Sequence, residues 1–392
     1  MRVGILGHLL SFASDYRQAG VSRYIEFLAR NLPQVAPGDE FLLFTGPTGA
    51  RGAPQLPQGV HVLPGRLPTG RPELRILWEQ VVAPPALARY RMDVVHAPVN
   101  VAPVLSPVPT VVTVHDLAFA RYPEQYPGLK QRYLNALTRR SVRRASRVIA
   151  VSENTRIDVL RDYGVAPERV VTVPNGIDPA MKPVPDDDAL ARFRGEHGLP
   201  RHFLLFVGTL QPRKNLLGLL RAYARVRDRL DLPLVVVGGA GWHYTPIFDE
   251  VQRLGLNDRV SFAGYAAGDT LASWYSAATA FVFPSLYEGF GLPVAEAMAC
   301  GTAVVTSSTS SLPEVAGDAA LLVDPRDLEA LGEALVRVAS DEALRRNLRE
   351  RGLARARQFT WERTARETVA VYHEAARTGR QARRASVAGE RS

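Results

Sequence analysis

The feature that most constrains the fold is a regular alternation of short apolar runs with helical patterns, which occurs twice along the 392-residue chain. In the first half the apolar runs include Arg2 to Leu6 and Thr110 to Val114, and the pattern restarts at Phe203 to Val207. Strands that alternate with helices indicate parallel sheets covered by helices on both faces. The sequence therefore predicts an α/β fold of two doubly wound parallel-sheet domains that face each other across a cleft.

The predicted domain limits follow from where this alternation pauses. Residues 1–178 form the first domain, and a stretch rich in proline and aspartate at 179–188 is the predicted linker. Residues 189–360 form the second domain, and a terminal helix at 361–377 is expected to pack back onto the first. The basic segment 378–392, rich in small residues, is predicted to be a disordered tail.

Composition bounds the class of protein and its compartment. A hydrophobic content of 46% with 22% charged residues is typical of a soluble globular protein. The single cysteine, Cys300, excludes an internal disulfide framework and is typical of a reducing compartment. Because no apolar run reaches about 18 residues, no transmembrane helix is expected. The predicted location is cytoplasmic.

The charge balance favours anionic partners. Lysine and arginine number 48 against 39 aspartates and glutamates, an excess of nine. Arginines concentrate at residues 139–147, which motivates the hypothesis of peripheral contact with the anionic inner face of a membrane. Nucleic acid is not an expected partner, because no stretch interleaves aromatic and basic residues.

The strongest functional pattern runs from Glu288 to Gly301. A short apolar strand at 280–283 precedes it, and a short helix begins near Pro293. The free N–H groups and the dipole of a helix start favour an anion. Glycines in the loop let a ligand approach the backbone, and Glu288 and Glu296 can face one bound molecule from different sides. The pattern predicts an anion cradle with two acceptors for hydroxyls, in the loop Gly289-Phe290-Gly291-Leu292.

A second candidate site follows the first strand of the second domain and opens a helix. It reads Gly208-Thr209-Leu210-Gln211-Pro212-Arg213-Lys214-Asn215. Arg213 offers a planar fork to phosphate oxygens, and Lys214 offers a compact charge. Because this loop and the Glu288 loop leave equivalent ends of one parallel sheet, we expect the two loops to form one site.

Other candidate positions follow strands or precede helices. His115 and Asp116 end a central strand of the first domain, where an imidazole can hydrogen-bond a hydroxyl group of a ligand or carry charge. Gly20 and Val21 form a glycine-containing first loop, and Tyr265 follows a second-domain strand.

The pair Glu288 and Glu296, with Gly-Phe-Gly-Leu-Pro between them, resembles the signature of retaining glycosyltransferases of the GT-B fold, family 4. This resemblance covers Arg2 to about Tyr372. It implies two Rossmann-like domains and transfer of a sugar from a nucleotide diphosphate sugar donor to a glycan, lipid-linked or small-molecule acceptor.

The resemblance also implies residue roles. In the family an arginine and a lysine bind the donor's diphosphate, as expected here for Arg213 and Lys214. The first glutamate holds the sugar's hydroxyls and the second binds the ribose, so these roles pass to Glu288 and Glu296. His115 corresponds to the histidine that approaches the donor sugar. The further implied contacts are Gly20, Val21 and Asp116 for donor phosphate or acceptor, and Gly208, Tyr265, Gly289, Phe290, Gly291 and Leu292 for the nucleotide sugar.

The donor and the mechanism are expected as follows. Many members place the arginine directly after the glycine, where this chain has Thr209; the version Pro-Arg-Lys-Asn resembles a mannosyltransferase-like branch. GDP-mannose is therefore the first expected donor, with UDP-sugars open. No Asp-x-Asp clamp ends a predicted strand, so no metal or other cofactor is expected. Since no residue is placed as a nucleophile, transfer with retention is expected to proceed on one face of the sugar.

Two other enzyme classes share features of this pattern. A sugar-nucleotide epimerase or phosphorylase of the same two-domain architecture is the main alternative, although epimerases generally rely on several carboxylates and histidines, of which this chain offers few. A nicotinamide dehydrogenase ranks lower, because Gly4 and Gly7 do not make the Gly-x-Gly-x-x-Gly fingerprint.

Overall fold

The computed structural model describes residues 1–10, 20–47, 56–126, 128–239, 241, 244–266 and 268–389. The chain forms two compact units, Met1–Gly176 with Trp361–Ser392, and Ile177–Thr360. We refer to them as unit 1 and unit 2. Each unit holds one sheet.

The sheet of unit 1 has seven strands in the order β3-β2-β1-β4-β5-β6-β7, and all neighbouring strands pair in parallel. Strand order reverses direction between β1 and β4. In open α/β sheets, ligands bind at the carboxyl ends of the strands beside such a reversal. The strands are β1 Arg2–Leu6, β2 Glu40–Thr45, β3 Val60–Pro64, β4 Val94–Ala97, β5 Thr110–Val114, β6 Arg147–Ala150 and β7 Val170–Thr172.

The sheet of unit 2 has six strands in the order β10-β9-β8-β11-β12-β13, again parallel throughout. The equivalent reversal lies between β8 and β11. The strands are β8 Leu204–Val207, β9 Leu234–Val237, β10 Val260–Gly264, β11 Ala280–Phe283, β12 Ala303–Ser307 and β13 Ala320–Val323.

Helices connect the strands in both units. Those of unit 1 are α1 Val21–Val35, α2 Pro72–Leu77, α3 Ala83–Arg89, α4 Ala118–Arg121, α5 Gly128–Arg144, α6 Glu153–Tyr163 and α15 Trp361–Gly389, with a π-helical turn at Trp78–Val82. Those of unit 2 are α7 Asp187–Glu196, α8 Leu216–Val226, α9 Thr245–Arg253, α10 Leu271–Ala277, α11 Leu292–Ala299, α12 Leu312–Ala316, α13 Leu328–Ser340 and α14 Glu342–Ala356. Within the described ranges, no helix is both long enough and apolar enough to cross a bilayer.

The sheet of unit 1 is buried on both faces. Because successive side chains of a strand point in opposite directions, neighbouring residues of β1 pack in different apolar clusters. Val3 and Ile5 pack in one apolar cluster with Tyr372 of α15, whereas Leu6 packs in another cluster with Leu87 of α3. Full burial of one large apolar side chain contributes about 1.5–3 kcal/mol. The last helix is therefore part of the unit 1 core.

The helix bounds differ from the predicted domain limits in two places. Helix α7 begins at Asp187, inside the predicted linker 179–188, because the Asp186 carboxylate caps it by accepting from the Ala189 N–H at 3.0 Å. Helix α15 runs to Gly389, whereas the sequence predicts a disordered tail at 378–392. The alanines and arginines of that segment are strong helix formers. The high net charge and small side chains of the segment are also typical of disorder, and the prediction followed that composition. Residues 390–392 of the predicted tail lie outside the described part.

Candidate functional site

The two candidate loops of unit 2 leave the sheet side by side. Leu205 of β8 pairs with Phe281 of β11, and each strand ends two residues later. The loops that follow bring Lys214 Nζ to 2.6 Å from Glu288 Oε1, and Arg213 Nη1 to 3.0 Å from Glu288 Oε2. The structure thus joins three predicted site residues into one ion-paired group, although Lys214 and Glu288 lie 74 positions apart along the chain. We call Arg213, Lys214 and Glu288 the charge triad.

Backbone contacts fix the triad's two loops to each other. The Leu286 N–H donates to the Arg213 carbonyl at 2.9 Å, and the Arg213 guanidinium also donates to the Tyr287 carbonyl. Arg213 and Lys214 lie in a single 3-10 turn, Pro212–Lys214, which Asn215 ends with a φ of 57°. The Asn215 amide donates to the Pro325 carbonyl at 2.8 Å, which holds the start of α8.

Glu288 is the electrostatic centre of the triad. Burial alone raises the pKa of its carboxyl group, but the charges of Arg213 and Lys214 and the Ser285 hydroxyl outweigh burial and lower this pKa to about 2. The Ser285 hydroxyl donates to Oε1 at 2.6 Å. The Glu288 N–H donates to Ser310 Oγ at 3.0 Å. Glu288 is therefore ionised at neutral pH and held at both ends.

The triad carries one net positive charge in a site with little exposure to water. The exposed fractions are 9% for Arg213, 8% for Lys214 and 7% for Glu288. Lys214 Nζ also lies 5.0 Å from the centre of the Phe283 ring, a cation–π distance. A partly buried positive site beside a sheet reversal is suited to an anionic ligand.

Three serines near Glu288 were not found by sequence reasoning. Ser285 and Ser310 contact Glu288 as described, and the Ser311 hydroxyl lies within hydrogen-bond distance of the Glu288 carbonyl, 3.0 Å, and of the Phe290 carbonyl, 2.8 Å. The only signal for Ser285 is its position directly after the strand that precedes the motif. Ser310 and Ser311 follow β12, a strand with no motif.

Gly238 and Gly291 lie where a side chain would clash with neighbouring atoms. A Cβ on Gly238 would lie 1.9 Å from the Gly208 carbonyl oxygen. The backbone that follows β9 can therefore lie beside the loop that carries Arg213 and Lys214 only if residue 238 is glycine. Gly291 has a φ of 103°, and a Cβ there would meet Leu312 at 2.6 Å. A Cβ on Gly208 itself would make only ordinary contacts, the nearest at 3.5 Å from Phe283.

The rest of the Glu288–Gly301 motif forms a buried helix start. Helix α11 begins at Leu292, and its first residues fold over Gly291, whose carbonyl accepts from the Val294 N–H at 3.0 Å. Glu296, 6% exposed, accepts a hydrogen bond from the Tyr275 hydroxyl at 3.3 Å. The predicted ribose-binding role of Glu296 remains a prediction.

The other predicted contact residues of unit 2 differ in their exposure to solvent. Phe290 is buried and packs edge-on against Phe359, with ring centres 5.4 Å apart. Tyr265 is 47% exposed and follows Gly264 at the end of β10, the outer strand of the sheet. Gly289 lies between Glu288 and Phe290 in the buried part of the loop.

The candidate residues of unit 1 lie after β5. The backbone N–H of His115 donates to Asn100 Oδ1 at 3.1 Å, and the Asn100 amide donates to the Asp116 carbonyl at 3.0 Å. Asn100, which sequence reasoning missed, therefore fixes this backbone. The Asp116 carboxylate accepts from the Ala118 N–H at 3.0 Å and so serves the start of α4.

His115 has a defined proton arrangement. Its Nε2 lies 2.7 Å from the Pro98 carbonyl, which can only accept, so Nε2 carries the hydrogen and Nδ1 is an acceptor. Burial lowers the pKa of the imidazole, although the Pro98 carbonyl and Asp116 act in the opposite direction. Neutral His115 can thus accept a hydrogen bond from a hydroxyl group.

Gly20 and Val21 lie at the start of α1. Gly20 adopts a φ of 59° and its carbonyl accepts from the Tyr24 N–H at 3.0 Å. A Cβ at Gly20 would meet no atom within 4 Å, so its backbone angle rather than crowding favours glycine. Among the residues described in both units, no three histidine, cysteine, aspartate or glutamate side chains are grouped as metal ligands would be.

Comparison with known proteins assigns the family. Residues 188–355 match the model of Glycosyl transferases group 1, and residues 19–181 match that of Glycosyltransferase Family 4. The chain is 34% identical over 264 residues to O-antigen chain mannosyltransferase B of Escherichia coli, a match covering 67% of this chain and 69% of that relative. The chain belongs to glycosyltransferase family 4.

Other matches bear on this family 4 glycosyltransferase in different ways. It is 30% identical over 273 residues to serotype-specific mannosyltransferase WbdA of Escherichia coli, but spans only 32% of that longer protein. Sucrose-phosphate synthase from Thermosynechococcus elongatus superposes with a TM-score of 0.75 at 24% identity, covering 95% of this chain and 98% of that one. This structural likeness, like the two parallel sheets, confirms the predicted GT-B fold with two Rossmann-like units.

Proposed function

We propose that this glycosyltransferase moves a hexose, mannose in the first instance, from a nucleotide diphosphate sugar to a glycan, lipid-linked or small-molecule acceptor. The observation that carries the proposal is the charge triad at the strand-order reversal of unit 2. The mannosyltransferase names of its relatives support mannose as the transferred sugar, and GDP-mannose is the proposed donor. These relatives are transferases, which favours transfer over the alternative of an epimerase or phosphorylase.

The triad supplies the electrostatic part of the reaction. Arg213 and Lys214 face the diphosphate, whose charge grows as the bond from the sugar C1 to the phosphate oxygen breaks. Glu288 keeps both cations in place and accepts hydrogen bonds from sugar hydroxyls. Glu296 and Tyr265 serve the ribose and the base, and the backbone at 289–292 lies along the phosphates.

The bond changes balance without a nucleophilic side chain or a metal. The acceptor oxygen bonds to C1 on the face that the phosphate leaves, and its proton passes to a leaving phosphate oxygen. The anomeric configuration is thereby retained. In unit 1, His115 accepts a hydrogen bond from a substrate hydroxyl through Nδ1, with Gly20, Val21 and Asp116 near the phosphate or acceptor.

A donor screen tests the proposal. Thermal shift against GDP-, UDP-, dTDP- and ADP-sugars should single out one donor, because a ligand that binds only the folded protein raises its melting temperature. Lys214→Ala should abolish this shift and most turnover. Lys182→Ala, an exposed lysine of the same unit, should keep both. Equal behaviour of the two variants would refute the role of Lys214.

The reaction course has separate readouts. Proton NMR of the product should show the donor's anomeric configuration, and an inverted product would exclude the proposed course. Turnover should persist in EDTA. Donor incubated without acceptor should yield no isomerised nucleotide sugar, whereas such a product would favour the epimerase alternative.

Peripheral contact with an anionic membrane is also proposed. It is supported by exposed arginines Arg139 and Arg140 on α5. Each basic residue near an anionic surface contributes about 1 kcal/mol of attraction. Co-sedimentation should favour phosphatidylserine vesicles over neutral ones, and equal binding to the two would remove this part of the proposal.

A further inference from the structure

A buried hydrogen-bond network connects the last helix of the chain to the strands that carry His115. The Tyr372 hydroxyl lies 2.7 Å from His96 Nδ1, and His96 Nε2 lies 2.8 Å from Thr113 Oγ1. The Tyr24 hydroxyl lies 3.2 Å from the same Thr113 oxygen and also hydrogen-bonds the Thr368 side chain. His96, Thr113 and Tyr372 have no exposed surface. The network therefore joins α15, β4, β5 and α1 without solvent.

One donor-to-acceptor direction along the network gives every donor an acceptor. Buried His96 is neutral, because burial and then the nearby His115 lower its pKa to about 3, so its ring carries a single proton. If Nδ1 carried that proton, the Tyr372 hydroxyl would need another acceptor, and the residues that the structure describes offer none. The proton therefore lies on Nε2, and Tyr372 donates to Nδ1.

The remaining donors then follow in sequence. His96 Nε2–H donates to Thr113 Oγ1, the Thr113 hydroxyl donates to Tyr24, and Tyr24 donates to Thr368. The Thr368 hydroxyl donates to the Thr364 carbonyl at 2.7 Å. The chain of hydrogen bonds leaves α15 at Tyr372 and returns to it at Thr368, and these two residues lie four positions apart on one helix face. Leaving any buried member unpaired costs about 1–3 kcal/mol, so the arrangement holds Tyr24 firmly.

Tyr24 connects this network to the candidate site of unit 1. Its ring packs edge-to-face against the His115 imidazole, with ring centres 4.7 Å apart and planes at 85°. The other constraints on the imidazole are the Pro98 carbonyl at Nε2 and the backbone bond to Asn100. Rotation of the imidazole away from its acceptor orientation would require Tyr24 to move.

We propose that Tyr24 and Tyr372 are positioning residues for His115, acting through a hydrogen-bond chain that runs out from α15 and back to it. Tyr24 contacts the imidazole directly, and Tyr372 acts on it through the hydrogen bonds of His96 and Thr113. This inference rests on the proposed part of His115 in sugar transfer. The last helix thereby contributes to the reaction without touching substrate.

Kinetics of matched variants test the proposal. Tyr372→Phe and Tyr24→Phe should each lower kcat roughly tenfold with little change in donor KM, the rate equivalent of one hydrogen bond. Tyr163→Phe is the control, because it removes another buried hydroxyl of unit 1, bonded to Asn135 at 3.0 Å, outside the network. In the His115→Gln background, Tyr372→Phe should have no further effect on kcat. Additive losses, or an unchanged kcat in both single variants, would overturn the proposal.

Nitrogen NMR of the histidines gives a readout independent of turnover. In the unmodified protein the His96 ring, assigned by the signal missing from His96→Gln, should be protonated on Nε2 alone. Tyr372→Phe should shift the His115 signals, and Tyr163→Phe should not. An Nδ1–H form of His96 or an unmoved His115 would contradict the network. If the unmodified protein transfers no sugar from any donor, the proposed function fails, and the NMR result still decides the network.

Discussion

Replacing Glu288 with glutamine keeps the shape of its side chain and removes the charge that holds Arg213 and Lys214. Burial raises the pKa of Glu288, but the two cations and the Ser285 hydroxyl outweigh burial and lower this pKa from 4.5 to about 2. Each pKa unit corresponds to about 1.4 kcal/mol, so at neutral pH the ionised form of Glu288 favours the folded state by about 3 kcal/mol relative to an uncharged carboxyl group. Glu288→Gln should lose this amount, because two buried positive charges would face each other without a counter-ion.

Thermal unfolding of the full chain measures this loss. For a unit of the size of unit 2, about 3 kcal/mol corresponds to a fall of roughly 6–12 °C in its melting temperature. The matched control is Glu333→Gln, in which the lost partner is an exposed arginine, Arg229, and the melting temperature should stay where it is. Donor turnover should fall in Glu288→Gln but not in the control.

The pH dependence of stability gives a second test of the electrostatic account. Because the folded pKa of Glu288 is lowered, its contribution is complete above pH 4.5 and is lost as pH falls toward about 2. The stability difference between the original chain and Glu288→Gln should therefore shrink across this range. A difference of constant size down to pH 2, or equal melting temperatures at pH 7, would refute the electrostatic account of the triad.

Three further predictions concern other parts of the molecule. Gly238→Ala should destabilise unit 2 by at least about 2 kcal/mol in denaturant unfolding, since its Cβ would overlap the Gly208 carbonyl, whereas Gly239→Ala, with no atom within 4 Å of its Cβ, should not. The kcat for transfer should show no fall centred at or above pH 6.5, because burial lowers the pKa of His115 from its ordinary value and keeps its Nδ1 an acceptor at neutral pH; such a fall would contradict this. Cys300, 2% exposed with its thiol pKa raised to about 12 by burial and Glu296, should resist iodoacetamide at pH 8 in the folded protein by mass spectrometry, and rapid alkylation would be the contrary result.

The sheets could be predicted from sequence because parallel strands buried on both faces read as unbroken apolar runs. Strand β1, for example, has the predicted bounds Arg2 to Leu6. Segments whose secondary structure depends on packing or on helix length were harder to predict from the sequence. The helical extension of α15 to Gly389 follows from propensities that a basic composition obscures.

The site could be predicted only in part. The positions of Arg213, Lys214 and Glu288 at strand ends follow from the motifs, but their mutual ion pairs depend on the register of β8 with β11. The Tyr372–His96 hydrogen bond joins residues 276 positions apart, and no local pattern marks either one. Such contacts arise from tertiary packing rather than from periodicity.

The ion pairs change how the predicted roles of the triad fit together. From sequence, Arg213 and Lys214 serve the phosphates while Glu288 serves the sugar, as independent contacts. In the structure one carboxylate touches both cations, so neighbouring positive charges that would repel each other are kept side by side. Cations that are already oriented need no rearrangement when negative charge develops on a leaving phosphate, which is the condition for electrostatic stabilisation of a transition state. A substitution at Glu288 should therefore lower kcat through the phosphate side of the reaction, even where glutamine still binds the sugar hydroxyls.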